Sequence, residues 1–244
     1  MRTVLVFIKL ALTLVFCLPY HLYLKTLAKK DQTKSWKKAY RFVYSVFKNE
    51  LRIAGCKVDA RGRDNIPDEP CLFVSNHRSY FDILLTHNYV GRPVGLVAKK
   101  EMEKAKLLNL YMEDIGCLFL DRNDIKQGLA TINQAAEYIK MGHSIILFPE
   151  GHRNQKDEFL PFKEGGYKMA EKAKCPIVPV AISGSDILLE QNPGMKIKKG
   201  KVIVEFGEAF YPSQLPPKER KEKYAQIPDM IQAMRNKHKI KEDK

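Results

Sequence analysis

Short runs of consecutive apolar residues alternate along the chain with stretches whose apolar positions recur at helical spacing. The runs at 72–74, 95–98, 117–120, 144–148, 177–182 and 202–206 predict buried strands, and the periodic stretches at 81–89, 105–113, 125–141 and 167–174 predict helices. Strands that alternate with helices in this way imply an α/β fold, a mixed and largely parallel sheet flanked by helices. No internal repeat, Gly/Ser-rich linker or low-complexity block interrupts the pattern.

The amino-terminal stretch is of a different kind. Residues 4–24 are apolar apart from Lys9 and the bend chemistry of Pro19 and His21. A spanning helix needs about 20 clean apolar residues, and this run is interrupted at both ends. A signal peptide would suit Arg2 and the apolar centre, but no small-x-small cleavage site follows, and the next residues are the large Tyr23, Leu24 and Lys25. The reading preferred is a retained anchor, either a single span or a half-buried hairpin. The basic flank Lys25, Lys29, Lys30, Lys34, Lys37, Lys38 and Arg41 then puts the rest of the chain on the cytoplasmic side. Trp36, Tyr40, Val43, Phe47 and Leu51 form one stripe of a helix that Gly55 ends, with Lys37, Lys38, Arg41 and Lys48 on its other face. Such a stripe commonly packs on a globular domain. Beside an apolar anchor, the expectation is that it lies flat among lipid headgroups. The organisation expected is therefore membrane-anchoring helices over 1–55 and a second unit over 56–244. That unit closes in a basic tail from about 217, with a surface helix over 228–239.

Charge narrows the partners. Lys and Arg total 42 against 28 Asp and Glu, a formal charge of +14, which calls for an anionic neighbour: nucleic acid, acidic phospholipid or a phosphorylated substrate. Nucleic-acid binding would interleave aromatics with clustered cations; here the dense clusters flank the anchor and fill the tail, so no nucleic-acid partner is expected. The five cysteines are odd in number and lack CxxC or metal-type spacing, so they read as reduced core residues and no metal centre is expected.

Candidate chemistry lies where apolar runs stop abruptly. The run ending at Val74 gives way to Ser75-Asn76-His77-Arg78-Ser79, and Asp82 follows His77 by five residues. If Ser79 caps a helix, Asp82 lies in the first turn and can reach back to the imidazole. A histidine held at Nδ1 by a carboxylate presents Nε2 as a general base. The plainer alternative is an ordinary loop histidine and a first-turn acid. Two further runs end in Asp121-Arg122 and in Pro149-Glu150-Gly151-His152-Arg153. Ligands of open α/β sheets bind beyond such strand ends. Arg122 and Arg153 offer forks for a phosphate, Gly151 permits close backbone approach, and Lys99 and Lys100 add point charges. Each cation alone reads as a surface residue; together they describe a base among anion binders, with no P-loop. A serine or cysteine hydrolase using Ser75, Ser79 or Cys71 ranks low, because no GxSxG elbow is present.

NHRSYFD at 76–82, GCLFLDR at 116–122, FPEGHR at 148–153 and VPVAI at 178–182 resemble, in order, the four blocks NHxxxxD, GxxFIDR, FPEGTR and VPVAI of the glycerophospholipid acyltransferase family. In its compact length and N-terminal hydrophobic segment, the chain looks most like the bacterial acyltransferases that act on 1-acylglycerol 3-phosphate. The resemblance implies that His77 removes the acceptor's hydroxyl proton and that Asp82 orients it. It also implies that Asn76, Arg122, Glu150, Gly151 and Arg153, with Lys100 a weaker candidate, bind the acceptor. The donor implied is an acyl thioester, acyl-CoA or acyl carrier protein, with no other cofactor. The acceptor implied is lysophosphatidic acid, the product phosphatidic acid, and the setting the cytoplasmic face of a bacterial plasma membrane, with the phospholipid bilayer as partner. Glycerol 3-phosphate or another lysolipid is the alternative acceptor. One departure is His152, where the family usually has Thr. Phe162-Lys163-Glu164-Gly165 resembles the family's FKxG segment, implied to shape the acceptor pocket.

Overall fold

The computed structural model describes residues 1–121 and 124–238. Arg2–Phe16 (α1) and Leu18–Ala28 (α2) meet at Cys17 with a bend of 52°. No single helix among the described residues is long and apolar enough to cross a membrane; α1 and α2 together pass that test by length and composition, as a bent pair. One side of α1 is engaged: Val6 is buried, Lys9 pairs with Glu50 at 3.3 Å, and the Leu14 carbonyl accepts the Tyr111 hydroxyl at 2.8 Å. The other side leaves Val4, Leu5, Phe7, Ile8, Leu12, Val15 and Phe16 exposed.

Gln32–Ala54 (α3) starts at Asp31, whose side chain accepts the Lys34 N–H, and stops at Gly55, where φ is 76° and the left-handed turn favours glycine. Its stripe does not face a bilayer. Trp36, Val43 and Leu51 are buried, and the helix packs on α2, on Cys56–Arg61 (β1) and on Phe81–Tyr89 (α4). An apolar face confined to one stripe is fully used by the domain beneath it.

Leu72–Ser75 (β2) precedes α4; then come Val94–Lys99 (β3), Lys106–Asp114 (α5), Leu118–Leu120 (β4), Ile125–Lys140 (α6), Ser144–Leu147 (β5), Lys168–Ala173 (α7), Ile177–Ser183 (β6), Gly200–Phe206 (β7) and Pro217–Lys237 (α8). The strands form one sheet in the order β1-β7-β6-β2-β5-β3-β4, parallel at every pairing except β6 with β7. This is the mixed, largely parallel sheet that the alternation implied. β2, β5 and β6 are buried at every position, which explains their unbroken apolar runs: strands covered on both faces have no solvent side. Their side chains alternate between two cores. Phe73, Ile146 and Val178 join Leu24, Val43 and Leu85 on one face, while Leu72, Val74 and Ile145 join Ile139, Met169 and Ile227 on the other.

The tail differs from expectation. α8 begins at Pro217 and continues through Pro228, and Tyr224, Ile227, Ile231 and Met234 are buried against the sheet. It is a layer of the domain rather than a solvated surface helix. Residues 239–244 of the expected tail lie outside the described residues.

Candidate active site

Because β2, β3, β4, β5 and β6 all run in one direction, their carboxyl ends open on one edge. Leaving β2, the chain is first pinned by Asn76. Its side-chain amide donates to the Ile182 carbonyl at 3.0 Å, and its carbonyl accepts the Ile182 N–H at 2.8 Å. The next peptide is held from the neighbouring strand's loop: the His77 N–H donates to Glu150 Oε1 at 2.9 Å, and the His77 carbonyl accepts the Asn154 N–H at 2.8 Å. With its backbone fixed on both sides, the imidazole packs flat on Phe148, ring centroids 4.3 Å apart.

His77 Nδ1 lies 3.0 Å from Asp82 Oδ2, which also accepts the N–H groups of Arg78 at 2.6 Å and Ser79 at 2.8 Å. Asp82 is fully buried in the first turn of α4, where the helix dipole favours a negative charge. Ser79 shapes this entry differently than expected: the cap position is Tyr80, and Ser79 Oγ accepts the Phe81 N–H from one residue further back. An ionised carboxylate only accepts, so the ring proton sits on Nδ1. Nε2 has no hydrogen-bond partner among the described residues, and the side chain is 14% exposed. A ring so oriented, with one nitrogen open at the strand ends, is arranged to take a proton.

Two residues that the resemblance assigned to the acceptor face inward instead. Asn76 is fully buried, with its amide committed to Ile182. Glu150 is 3% exposed; besides the His77 N–H, its second oxygen accepts the Leu160 N–H at 3.1 Å and the Asn154 side-chain amide at 3.2 Å. Both side chains are thus engaged inside the protein, Asn76 on Ile182 of β6 and Glu150 on the His77 and Leu160 N–H groups and on Asn154. Gly151 makes the turn after Phe148, at φ 77° and with its N–H on the Phe148 carbonyl.

The cations separate in a similar way. The Arg153 guanidinium lies 3.5 Å over the Tyr80 ring, donates to Glu190 at 3.2 Å and stays 30% exposed, so it borders the loop that carries His77. Lys100 stands at the same edge beyond β3, but its ammonium pairs with Asp121 at 3.1 Å, and among the described residues no hydrogen bond or ion pair joins it to His77 or Asp82. Arg122 lies outside the described residues. His152 is exposed, and Phe162 packs on Phe159 and the second core. Arg78, between His77 and Ser79 in the first block, is buried. It donates to Asp186 at 2.6 and 2.8 Å and to the Gln155 carbonyl at 2.7 Å, tying the loop after β5 to the turn after β6. The only signal for it in the sequence was a charge inside a block otherwise bounded by apolar runs. Among the described residues no three His, Cys, Asp or Glu side chains converge as a metal site.

A family model described as acyltransferase matches residues 57–183, more than half of the chain and all four blocks. The chain belongs to the acyltransferase family. Among curated members, it is 32% identical to the 1-acyl-sn-glycerol-3-phosphate acyltransferase of Saccharomyces cerevisiae, over 73% of this chain and 58% of that protein. It is 36% identical to a probable 1-acyl-sn-glycerol-3-phosphate acyltransferase of Mycoplasma pneumoniae, over 62% of this chain and 56% of that one. The chain thus spans under two thirds of the length of these acyltransferase relatives. The crystal structure of the 1-acyl-sn-glycerophosphate (LPA) acyltransferase PlsC from Thermotoga maritima has the same fold. Its TM-score is 0.79, with 98% of this chain and 97% of that one covered at 24% identity.

Proposed function

We propose that the chain transfers a fatty acyl group from an acyl thioester to the sn-2 hydroxyl of a 1-acylglycerol 3-phosphate, giving phosphatidic acid. The observation that carries this reading is the orientation of His77: Nδ1 on a buried carboxylate, Nε2 open, and Arg153 on the adjoining loop. The names of the relatives supply the acceptor class. Nε2 takes the hydroxyl proton as the acceptor oxygen attacks the thioester carbon. The tetrahedral intermediate then expels the thiolate, which takes that proton back from the imidazolium. Asp82 keeps the ring in one tautomer and stabilises its charged form. No acyl-enzyme forms, so no nucleophilic Ser or Cys is called for. Arg153 holds the acceptor's phosphate with its remaining N–H groups. The donor is acyl-CoA or acyl carrier protein, each of which presents the same thioester.

The setting proposed is the cytoplasmic surface of the cell membrane. α1 presents an apolar face beside the exposed Lys25, Lys29, Lys30 and Lys34, a combination suited to the boundary between acyl chains and anionic headgroups. A site held there spares the lipid substrates extraction into water, at about 0.8 kcal/mol for each CH₂ exposed. The test is a transfer assay with purified protein in detergent, offering both donors against a panel of lysolipids and glycerol 3-phosphate. Phosphatidic acid formed from lysophosphatidic acid is the expected result. Preference for glycerol 3-phosphate, or no transfer from either donor, would overturn it.

A further inference from the structure

Glu190 lies beyond the four sequence blocks and beyond the residues that the family model matches, yet it touches both loops of the site. Its side chain is 2% exposed, and its Oε1 receives two donors: the Tyr80 N–H at 2.9 Å from the loop after β2, and Arg153 Nη1 at 3.2 Å from the loop after β5. The Tyr80 ring, in turn, covers one face of the same guanidinium at 3.5 Å. Oε2 of Glu190 is buried without a hydrogen-bond partner among the described residues. A carboxylate buried this far, with one oxygen unpartnered, is costly to desolvate, and its compensation comes from the Tyr80 N–H and the Arg153 guanidinium.

We propose that Glu190 and Tyr80 are positioning residues that pre-orient Arg153 for the acceptor's phosphate. This inference rests on the acyl-transfer reading above. Long arginine side chains are conformationally free, and a fork that must find its pose at each binding event binds more weakly than one already set. Glu190 fixes one corner of the guanidinium, Nη1. Tyr80 covers one face and excludes water from it, strengthening the charge that remains. Nε and Nη2, which have no partners among the described residues, are left for phosphate oxygens. Glu190 thereby also bridges the loop after β2 and the loop that carries Arg153, so the fork is held at a fixed place beside the site.

The test is steady-state kinetics of Glu190→Ala, Glu190→Gln, Tyr80→Leu and Tyr80→Phe with 1-acylglycerol 3-phosphate, and with the phosphate-free 1-acylglycerol as comparison. Glu190→Ala is expected to raise the acceptor KM roughly tenfold and Tyr80→Leu about threefold to fivefold, with kcat and donor KM within about twofold of the parent. Glu190→Gln, which retains an oxygen acceptor, and Tyr80→Phe, which retains the ring, should restore most of the affinity. Use of the phosphate-free acceptor should respond to none of the four. Tyr80 is half exposed, so its variants fold even if Glu190→Ala does not. An active parent whose acceptor KM is unmoved in Tyr80→Leu and the Glu190 variants overturns the positioning role. So does a loss that falls equally on both acceptors. A parent inert toward 1-acylglycerol 3-phosphate with either donor fails earlier, at the acyl-transfer reading itself.

Discussion

Asp82, in the first turn of α4 behind β2, and Glu150, in the loop behind β5, are buried carboxylates that follow adjacent parallel strands at one edge of the sheet. Asp82 directs Oδ2 at a side chain, the imidazole of His77, with two backbone N–H groups holding the same oxygen. Glu150 directs both oxygens at backbone and at Asn154. The first loop therefore leaves a ring nitrogen open, and the second is bolted to it as a frame. Burial and block membership look alike at these two positions; what separates them is the identity of the donor each one faces.

The contrast can be broken by substitution. His77→Ala removes the proton acceptor, and kcat for acyl transfer should fall by about 10²–10⁴-fold while the thermal melt stays close to that of the parent. Asp82→Asn keeps the shape but turns an acceptor-only group into one that also donates; kcat should fall roughly 10²-fold, with a loss of about 1–3 kcal/mol in stability from the disturbed N–H groups. Glu150→Gln should show the reverse weighting. A similar stability loss, about 1–3 kcal/mol, would accompany only about a tenfold fall in kcat, because the frame loosens but the base remains. If Glu150→Gln instead lost turnover as deeply as His77→Ala with an unchanged melt, the two loops would share the chemistry and the contrast would fail.

Acid sharpens the same comparison. His87 on α4 stands behind the first loop, and His143 immediately precedes the strand that delivers the second; burial pushes both down to about 4. Below about pH 6.5 the unfolded chain takes up protons at these groups, whereas the folded chain does not until about pH 4. Stability therefore decreases as the pH falls through that window, by on the order of 1–3 kcal/mol per histidine. Urea unfolding at pH 7 and pH 4.5 measures the loss, and segment-resolved hydrogen exchange reports whether both loops loosen together. A midpoint that does not change over this range would mean that neither ring is held neutral.

Much of this site could be read from the chain because its strands are covered on both faces, so each apolar run ends sharply where a polar loop begins. The pairing of His77 with Asp82 followed from helix geometry, and the contact is there. What spacing does not carry is the direction of a side chain. Asn76 and Glu150 sit in the same blocks as His77 and Arg153, yet they turn inward to Ile182, Leu160 and the His77 peptide. Glu190 and Arg78 act across more than 35 and 100 residues of sequence respectively, distances over which no local pattern speaks. The amino-terminal helices show the same limit from another side. α1 and α3 both combine apolar residues with basic ones, but of the two only α1 keeps an apolar face open, because the stripe on α3 is taken up by the domain. The helix expected to start at Pro228 starts at Pro217 instead, because burial of Tyr224, Ile227 and Ile231 holds α8 together across the proline.

The most direct test of the dyad is a double-mutant cycle on acyl transfer: the parent, His77→Ala, Asp82→Asn and the double variant, compared by kcat with saturating donor and 1-acylglycerol 3-phosphate. If the carboxylate acts only through the ring, the double variant is no slower than His77→Ala alone. Losses that multiply would mean two independent contributions, and would contradict a base held in place by Asp82.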